Sequence, residues 1–257
     1  MRAKKSYGQH FLTNEHYAAQ IAGALQLIAA YDQVLEVGPG QGMLTKHLLD
    51  RSADFALKVV EADRDMVSYL AEHYPQLDGR VIAADFLKID LAEEFKRPFG
   101  LIGNFPYNIS SQIMIKMIEN RDLIPEAAGM FQKEVAERIA AGPGSKTYGV
   151  IGVLVQAFYE VEVLFSVAPG NFNPPPKVQS AVIRCVRRAE PLVSPAGERN
   201  FRRVVKAAFG QRRKMLRNSM KSVVGKDSPL LDGPLMERRP EHISLEEFAD
   251  LGRQVTA

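Results

Sequence analysis

The chain has 257 residues, of which 46% are hydrophobic and 25% are charged, a composition that is typical of globular proteins and excludes a predominantly disordered chain. Its net charge of +3 is too small to indicate a partner by itself. No apolar stretch reaches the roughly 20 residues of a membrane span, no apolar core follows the basic residues 1–5, and the single cysteine (Cys185) cannot form an internal disulfide. We therefore expect a cytoplasmic protein that does not bind a membrane.

Strand-like and helical segments alternate along the first half of the chain. The predicted strands span residues 34–37, 55–60, 81–84, 101–102 (running on to Asn104) and 127–131, and the predicted helices span residues 14–30, 44–49, 66–73, 110–118 and 133–140. This alternation predicts an α/β fold with a parallel, doubly wound sheet, similar to a Rossmann fold. Two later strand-like runs, 159–167 and 181–186, have no full helix between them and could form an antiparallel hairpin at one sheet edge.

The composition changes near residues 187–197, where two prolines and mixed charges suggest a linker. We expect an α/β domain of residues 1–189 and a small all-helical domain of residues 190–257. Residues 201–221 contain eight lysines and arginines and no acid, so this basic segment carries about +8 and leaves the rest of the chain near −5. The segment predicts a surface that binds a polyanion, and the alternative is an ordinary solvated helix face.

Four strand ends carry residues that suit a ligand site. Ligands of doubly wound sheets bind at the carboxyl ends of the strands, where this chain places the turn 38–42 (Gly-Pro-Gly-Gln-Gly), Glu61, Asp85 and Asn104. Met43 stands where the dinucleotide fingerprint requires a third glycine, which favours a cofactor without phosphate, such as S-adenosyl-L-methionine. Glu61 would accept hydrogen bonds from ribose hydroxyls and Asp85 from an adenine amine; each alone could be a solvated strand-end charge.

The tetrapeptide Asn104-Phe105-Pro106-Tyr107 predicts chemistry on an exocyclic amine. Such an amine is a poor nucleophile because its lone pair is delocalised into the ring. Acceptors aimed at its two N–H groups favour the tetrahedral nitrogen that attacks a methyl group, and the Asn104 side-chain oxygen and the Pro106 carbonyl can supply two. Tyr107 offers a face on which an extruded base can stack. Catalysis would then be mostly positioning.

Six blocks of the chain resemble the small-subunit (16S) ribosomal RNA adenine dimethyltransferases. They are in family order and are residues 6–12 (SYGQHFL), 36–42 (EVGPGQG), 104–110 (NFPYNIS), 132–136 (QKEVA), 172–178 (FNPPPKV) and 209–214 (FGQRRK). Phe105 replaces a commoner leucine or isoleucine, and Gln179 a common aspartate.

The resemblance implies a class I methyltransferase sheet with a helical, RNA-binding C-terminal domain. It implies dimethylation of two adjacent adenines in the 3′-terminal hairpin loop of 16S rRNA, within an assembling 30S subunit. The implied contacts to S-adenosyl-L-methionine come from His10, Leu12, Gly38, Glu61, Asp85 and Asn104. Phe172 would be a second aromatic wall for the base beside Tyr107, or equally a core residue. Arg212, Arg213 and Lys214 would contact RNA phosphates.

Two other functions remain open from the sequence. The related Erm-type enzymes, which methylate an adenine of 23S rRNA, share the tetrapeptide; the leader block and the basic segment favour the small-subunit type. A non-catalytic ribosome-assembly factor would not need the intact tetrapeptide. The five histidines are scattered without ligand spacing, so we expect no metal site. We expect a monomer.

Overall fold

A computed structural model of the chain describes residue 4 and residues 8–255. Ser6 and Tyr7 of the block 6–12, like the rest of residues 1–3, 5–7 and 256–257, lie outside the described residues. The strands are β1 (Phe11–Leu12), β2 (Gln33–Val37), β3 (Ala56–Val60), β4 (Val81–Ile82), β5 (Gly100–Asn104), β6 (Glu126–Gln132), β7 (Tyr159–Val167), β8 (Phe172–Asn173) and β9 (Ser180–Arg187). The α-helices are α1 (Glu15–Ala22), α2 (Met43–Leu49), α3 (Arg64–His73), α4 (Leu91–Glu94), α5 (Ser110–Glu119), α6 (Lys133–Ala140), α7 (Val150–Gln156), α8 (Glu198–Gly210), α9 (Leu216–Val224) and α10 (Leu245–Gln254).

Seven strands form one sheet in the order β4-β3-β2-β5-β6-β9-β7. The first five of these strands pair in parallel, and β9 pairs antiparallel with β6. Four of the five residues in β2 and in β5 are buried, as expected for central strands covered on both faces. The order reverses between β2 and β5, so the carboxyl ends of these strands flank the switch point at which such folds bind ligands. The predicted α/β fold is confirmed.

The two later strand-like runs lie side by side at one edge of the sheet, as predicted. β7 lies at the edge beside β9, and β9 is inserted between β7 and β6. A second, two-stranded sheet joins β1 to β8 in antiparallel register, with Phe11 opposite Asn173 and Leu12 opposite Phe172. This short pairing brings the N-terminal segment (residues 8–14) to the proline-rich loop (residues 172–178). No sequence pattern indicated this contact.

The predicted helix over residues 14–30 is wrong beyond Ala22. Asn14 caps the start of α1, and Gly23 caps its end after Ala22. The carboxylate of Glu126, a fully buried residue, then accepts the backbone N–H groups of Gln26 and Leu27 at 2.9–3.1 Å and the hydroxyl of Tyr31 at 2.7 Å. This buried carboxylate accepts the backbone N–H groups of the loop, which in a continued helix would be bonded to carbonyl groups of the preceding turn. The helix α7, within the apolar run 149–159, was not predicted.

The chain divides into two compact units, Met1–Ala136 with Val161–Arg187, and Glu137–Glu160 with Arg188–Ala257. The chain enters the second unit for the second time at Arg188, beside the predicted boundary at residue 189. The segment Glu137–Glu160 belongs to the second unit by its contacts, although the predicted boundary assigned it to the α/β domain. The assignment of one domain to catalysis and one to RNA stays a prediction.

The second unit is a helical assembly with an aromatic core. Phe201 on α8 and Phe248 on α10 are fully buried, and the Phe209 ring lies 5.7 Å from the rings of both Tyr148 and Phe248. Gly252 allows α10 to approach α8, because a Cβ there would lie 3.0 Å from the Phe201 Cα. In the described part of the chain, no helix of either unit has both the length and the apolar character that crossing a bilayer requires.

The ring of Phe105 occupies space that two glycines leave open. Phe105 is 2% exposed and its ring lies 5.0 Å from that of Phe131. Gly103 and Gly129 are paired across β5 and β6. A Cβ at Gly129 would lie 2.3 Å from the Phe105 ring and 2.5 Å from the Gly103 carbonyl oxygen. The larger side chain at position 105 is therefore accommodated by the glycine on the neighbouring strand.

We expect Gly129→Ala to destabilise the fold by about 1–3 kcal/mol, because the new methyl group meets a backbone oxygen that cannot move aside. The measurement is the free energy of unfolding in urea. Gly170→Ala is the matched control, since a Cβ there has nothing within 4 Å. Equal stabilities of the two variants would contradict this account of the packing.

Glu36 is a buried acid at the end of β2. It is 1% exposed and accepts a hydrogen bond of 2.7 Å from the Thr45 hydroxyl on α2. Burial raises the pKa of Glu36 to about 8, and the nearby Glu61 carboxylate adds to the rise. Because the folded-state pKa lies above the unfolded value, the folded protein binds the extra proton. Its contribution to stability is complete below pH 4.5 and is lost as the pH rises towards 8.

We therefore expect Glu36→Gln, which keeps an acceptor for Thr45 but does not ionise, to gain stability relative to the wild type as the pH rises. The gain in free energy of unfolding between pH 5 and pH 8 should be about 1–4 kcal/mol. Urea unfolding at both pH values measures it, with Glu72→Gln at an exposed position as the control. A gain that does not change with pH would show that Glu36 is ionised throughout.

Candidate active site

A cavity of about 520 Å³ opens at the carboxyl ends of the central strands, within the first unit. Eight of the residues singled out in the sequence line it together: His10, Leu12, Gly38, Glu61, Asp85, Asn104, Pro106 and Tyr107. They come from the N-terminal segment and from the ends of β2, β3, β4 and β5. The parallel sheet thus gathers residues that are nearly 100 positions apart in the chain.

The turn after β2 needs glycine at its three glycine positions. Gly38, Gly40 and Gly42 all have positive φ angles, of 66°, 54° and 79°. A Cβ at Gly40 would lie 2.9 Å from the Phe11 ring, and one at Gly42 would lie 2.4 Å from the Tyr74 ring. The bare backbone therefore lets two aromatic rings close against the turn.

The carboxylate of Glu61 is held in place by two backbone N–H groups. Gly40 donates to Oε2 at 3.1 Å and Asp63 donates to Oε1 at 2.9 Å. Glu61 is 7% exposed, and burial raises its pKa despite these two bonds. Each carboxylate oxygen can accept more than one hydrogen bond, so Glu61 keeps acceptor capacity for a ligand in the cavity.

Asp85 is oriented by the turn that follows β4. Its Oδ1 accepts the Leu87 N–H at 3.0 Å, and its backbone carbonyl accepts the Lys88 N–H at 2.9 Å. The next residue, Phe86, is 3% exposed and also lines the cavity. Asp85 and Phe86 thus present an acceptor and an apolar face side by side.

The side-chain amide of Asn104 has a defined orientation. Its Nδ2 donates to the His10 carbonyl oxygen at 3.0 Å. A carbonyl oxygen only accepts, so the atom that faces His10 must be the nitrogen. No residue that the structure describes donates to the amide oxygen of Asn104, which lines the cavity, so this oxygen keeps its acceptor capacity; its role in the chemistry stays a prediction.

His10 connects the tetrapeptide to the proline-rich loop. Its Nδ1 lies 2.8 Å from the Pro174 carbonyl oxygen, so Nδ1 carries the proton. The His10 ring stacks on the Tyr107 ring with 5.5 Å between centroids and 27° between planes. The Tyr107 hydroxyl bonds the buried Ser180 hydroxyl, and burial raises the pKa of Tyr107. The orientation of each ring is therefore fixed by a hydrogen bond, His10 to Pro174 and Tyr107 to Ser180.

The second predicted acceptor, the Pro106 carbonyl, is partly engaged. It accepts the Ile109 N–H at 3.2 Å, just before α5 begins. A carbonyl oxygen has two lone pairs, so one remains for a further donor. Pro106 also lies 3.7 Å from the Cβ position of Gly38, which places the tetrapeptide against the glycine turn.

Phe172 does not line the cavity. It is 4% exposed, pairs with Leu12 across β1 and β8, and belongs to the same hydrophobic core cluster as Leu12. Of the two interpretations left open by the sequence, the structure favours the core phenylalanine. A role as an aromatic wall for the target base has no support in this arrangement.

The three basic residues at 212–214 differ in their surroundings, all within the second unit. Arg212 is partly buried, and its guanidinium donates to Glu241 at 3.2 Å and to the Ser145 carbonyl at 3.2 Å. Arg213 and Lys214 are exposed and make no ion pair with any residue that the structure describes. Arg212 thus braces the fold, and its neighbours are the free charges.

Sequence reasoning missed the residues that hold the N-terminal segment. Asp63, 1% exposed, accepts hydrogen bonds from Lys4 Nζ at 2.6 Å and from Gln9 Nε2 at 3.0 Å, and it also caps α3. The available signal was the position of Asp63, two residues after Glu61 at the start of a predicted helix. Glu36 was quoted within a family block but was not recognised as a lining residue.

The comparisons with known proteins agree with this geometry. The family model described as ribosomal RNA adenine dimethylase matches residues 1–248. A ribosomal RNA small subunit methyltransferase A from Bacteroides thetaiotaomicron is 53% identical over 256 residues, which cover 99% of this chain and 94% of that protein. The protein of the same name from Flavobacterium johnsoniae is 50% identical, covering 100% of this chain and 97% of its own length.

Two solved structures share the fold over nearly the whole chain. A dimethyladenosine transferase from Plasmodium falciparum has a TM-score of 0.76 at 26% identity, covering 94% of this chain and 96% of its own. The 23S rRNA methyltransferase ErmE has a TM-score of 0.69 at 27% identity, covering 95% and 99%. The predicted class I methyltransferase fold is confirmed, and the chain belongs to the ribosomal RNA adenine dimethylase family.

Proposed function

We propose that this chain dimethylates N6 of two adjacent adenines in the 3′-terminal hairpin loop of 16S rRNA, using S-adenosyl-L-methionine, while the 30S subunit is being assembled. The observation that carries the proposal is the orientation of Asn104. Its amide nitrogen is bonded to the His10 carbonyl, so its oxygen is the atom available to a substrate amine. The roles of individual residues below are part of the same proposal.

The residues around the cavity fit the proposed cofactor. Glu36, Glu61 and Asp85 line the cavity with acceptors. Of the described residues in its wall, Lys46 is the only lysine or arginine, and its ammonium is bonded to Glu15. Such a wall suits a positively charged nucleoside and does not suit a pyrophosphate. When bound, S-adenosyl-L-methionine would supply an electrophilic methyl group; Glu61 would hold ribose hydroxyls and Asp85 the adenine amine, beside His10, Leu12 and Gly38.

The tetrapeptide would prepare the target amine. The Asn104 oxygen and the remaining lone pair of the Pro106 carbonyl would accept its two N–H groups, which directs the nitrogen lone pair towards the cavity. Tyr107, stacked on His10 and bonded to Ser180, is a rigid surface for the base. Few groups need to move, so the residues contribute mainly by orientation. A strong base is unnecessary, because the nitrogen loses its proton readily once methylated.

The basic segment would supply RNA affinity without base recognition. Arg213 and Lys214, together with Lys206 and Lys221, are exposed. Phosphate contacts from such residues give affinity that is sequence-independent and falls with salt. Base selection would come from the pocket around Asn104 and Tyr107. A loop adenine is partly unstacked, so presenting it to the pocket costs little.

The relatives favour the small subunit over 23S rRNA as the target. Proteins named small subunit methyltransferase A are 50–53% identical to this chain over almost its full length, whereas ErmE is 27% identical. The non-catalytic alternative would leave the acceptor geometry of Asn104 without a use. These comparisons support the proposed substrate class.

We expect Asn104→Ala to fold normally and to reduce methyl transfer at least about 100-fold, because one acceptor for the amine is lost. The assay incubates the enzyme with methyl-labelled S-adenosyl-L-methionine and both ribosomal subunits from cells lacking adenine dimethylation, then identifies the labelled nucleoside and the RNA that carries it. Gln76→Ala, which removes an exposed side-chain amide outside the cavity wall, is the control. Wild-type rates in Asn104→Ala would defeat the acceptor mechanism, and wild-type label in 23S RNA would assign the chain to the Erm branch.

We expect the double reversal Arg213→Glu with Lys214→Glu to weaken RNA binding and to lower the slope of log K against log salt by about two. Affinity for S-adenosyl-L-methionine should not change. The matched control, Arg80→Glu with Lys96→Glu, alters the net charge equally at exposed positions of the first unit. A binding curve and salt slope equal to those of the control would contradict the prediction and show that residues 213 and 214 are ordinary solvated charges.

A further inference from the structure

The segment after β4, residues 83–90, forms part of the cavity wall but has little regular structure of its own. β4 has only two residues and lies at the edge of the sheet. The segment contains no helix or strand after Ile82, and the bonds from Leu87 and Lys88 to Asp85 are local turns. Local turns of this kind open easily unless another element holds them. The positions of Asp85 and Phe86 therefore depend on a contact from outside the segment.

Besides the packing of the buried Phe86 ring, one such contact comes from Lys116 on α5. Its Nζ donates to the Leu87 carbonyl oxygen at 3.1 Å and to the Ile89 carbonyl oxygen at 2.6 Å. The same ammonium lies 5.4 Å from the centre of the Phe86 ring, within the range of a cation–π contact. One side chain thus engages three of the four residues from 86 to 89.

The environment of Lys116 shows that its charge is held there at a cost. Burial lowers the pKa of Lys116, while Asp85, Asp90 and Glu119 act in the opposite direction. An apolar side chain of similar length would fill the same volume without that cost. The ammonium is therefore explained by the two carbonyl groups and the ring that it engages. Packing alone does not require it.

We propose that Lys116 is a positioning residue for the cofactor, which holds residues 86–89 so that Asp85 and Phe86 keep their places in the cavity wall. The inference rests on the proposed function, because it takes this wall as the binding place of the nucleoside of S-adenosyl-L-methionine. α5 begins six residues after Asn104, so Lys116 also ties the Asp85 segment to the helix that follows the tetrapeptide. Nothing in the chemistry of methyl transfer requires Lys116 itself.

The test compares Lys116→Met with Lys96→Met. Methionine keeps a long side chain and removes the ammonium. Lys96 is an exposed lysine that donates to one carbonyl, that of Ala92, outside the cavity wall. Three quantities are measured: the dissociation constant of S-adenosyl-L-methionine by calorimetry, the steady-state constants, and hydrogen exchange of the Leu87 and Lys88 amides without cofactor. These two amides report directly on the turn at Asp85.

We expect Lys116→Met to weaken binding of S-adenosyl-L-methionine about tenfold and to raise its KM similarly, with kcat at saturation within about twofold of the wild type. Exchange at Leu87 and Lys88 should accelerate about tenfold, and Lys96→Met should match the wild type throughout. Unchanged exchange and affinity in Lys116→Met would overturn the proposal. A tenfold fall in kcat without a rise in KM would overturn it as well.

The outcomes separate this inference from the proposed function. If the wild type does not bind S-adenosyl-L-methionine, the proposed function fails, while the exchange of Leu87 and Lys88 still decides whether Lys116 holds the segment. If Lys116→Met does not fold, Lys116→Arg replaces it, since arginine keeps the charge and can donate to both carbonyls. We expect the arginine variant to keep the exchange rates and the affinity within about threefold of the wild type. A tenfold loss in that variant would contradict the holding role.

Discussion

The hydrogen bond from the Asn104 amide to the His10 carbonyl is the constraint on which the site depends, because it decides which end of the amide faces the cavity. It requires the N-terminal segment to lie in one place. Two further attachments ensure this: Asp63 binds Gln9, and β1 pairs with β8. A segment that precedes the first parallel strand thus lines the candidate site. His10 contributes both a backbone and a side-chain contact, because its carbonyl accepts from Asn104 and its imidazole stacks on Tyr107.

The sequence predicted those parts of the molecule that depend on local pattern. Buried parallel strands are short apolar runs, and the polar residues that end them must meet at one edge of the sheet, so the pattern alone was enough to place Glu61, Asp85 and Asn104 together. Contacts made by a few residues across long separations left no such pattern. The two-residue pairing of β1 with β8 and the burial of Phe172 are of this kind. The loop that follows α1 is likewise bonded to a distant acid, Glu126.

The basic segment shows the same limit for charge. Along the sequence, Arg212, Arg213 and Lys214 are equivalent members of one cationic run. In the fold, Arg212 is paired with Glu241, 29 residues away, and with the Ser145 carbonyl, 67 residues away. A paired, half-buried guanidinium has little freedom to meet a phosphate without abandoning its partners. Linear charge density therefore overstates the number of cations that an RNA can use, and the pairing of each must be known before affinity is assigned to it.

The cavity places Glu36 and Glu61 where burial opposes their ionisation, and burial raises the pKa of both. An acid in such a position lowers the stability of the empty protein at neutral pH, and an apolar residue would be the more stable choice. The arrangement becomes intelligible if the occupant of the cavity carries positive charge, because a nearby cation favours the ionised carboxylate and lowers its pKa again. Binding would then release protons as well as occupy space. A neutral nucleoside of the same shape would not recover that energy, so under the proposed function the two buried carboxyl groups would discriminate by charge as well as by hydrogen bonding. The same residues that weaken the empty cavity would make it selective for the charged form of its ligand.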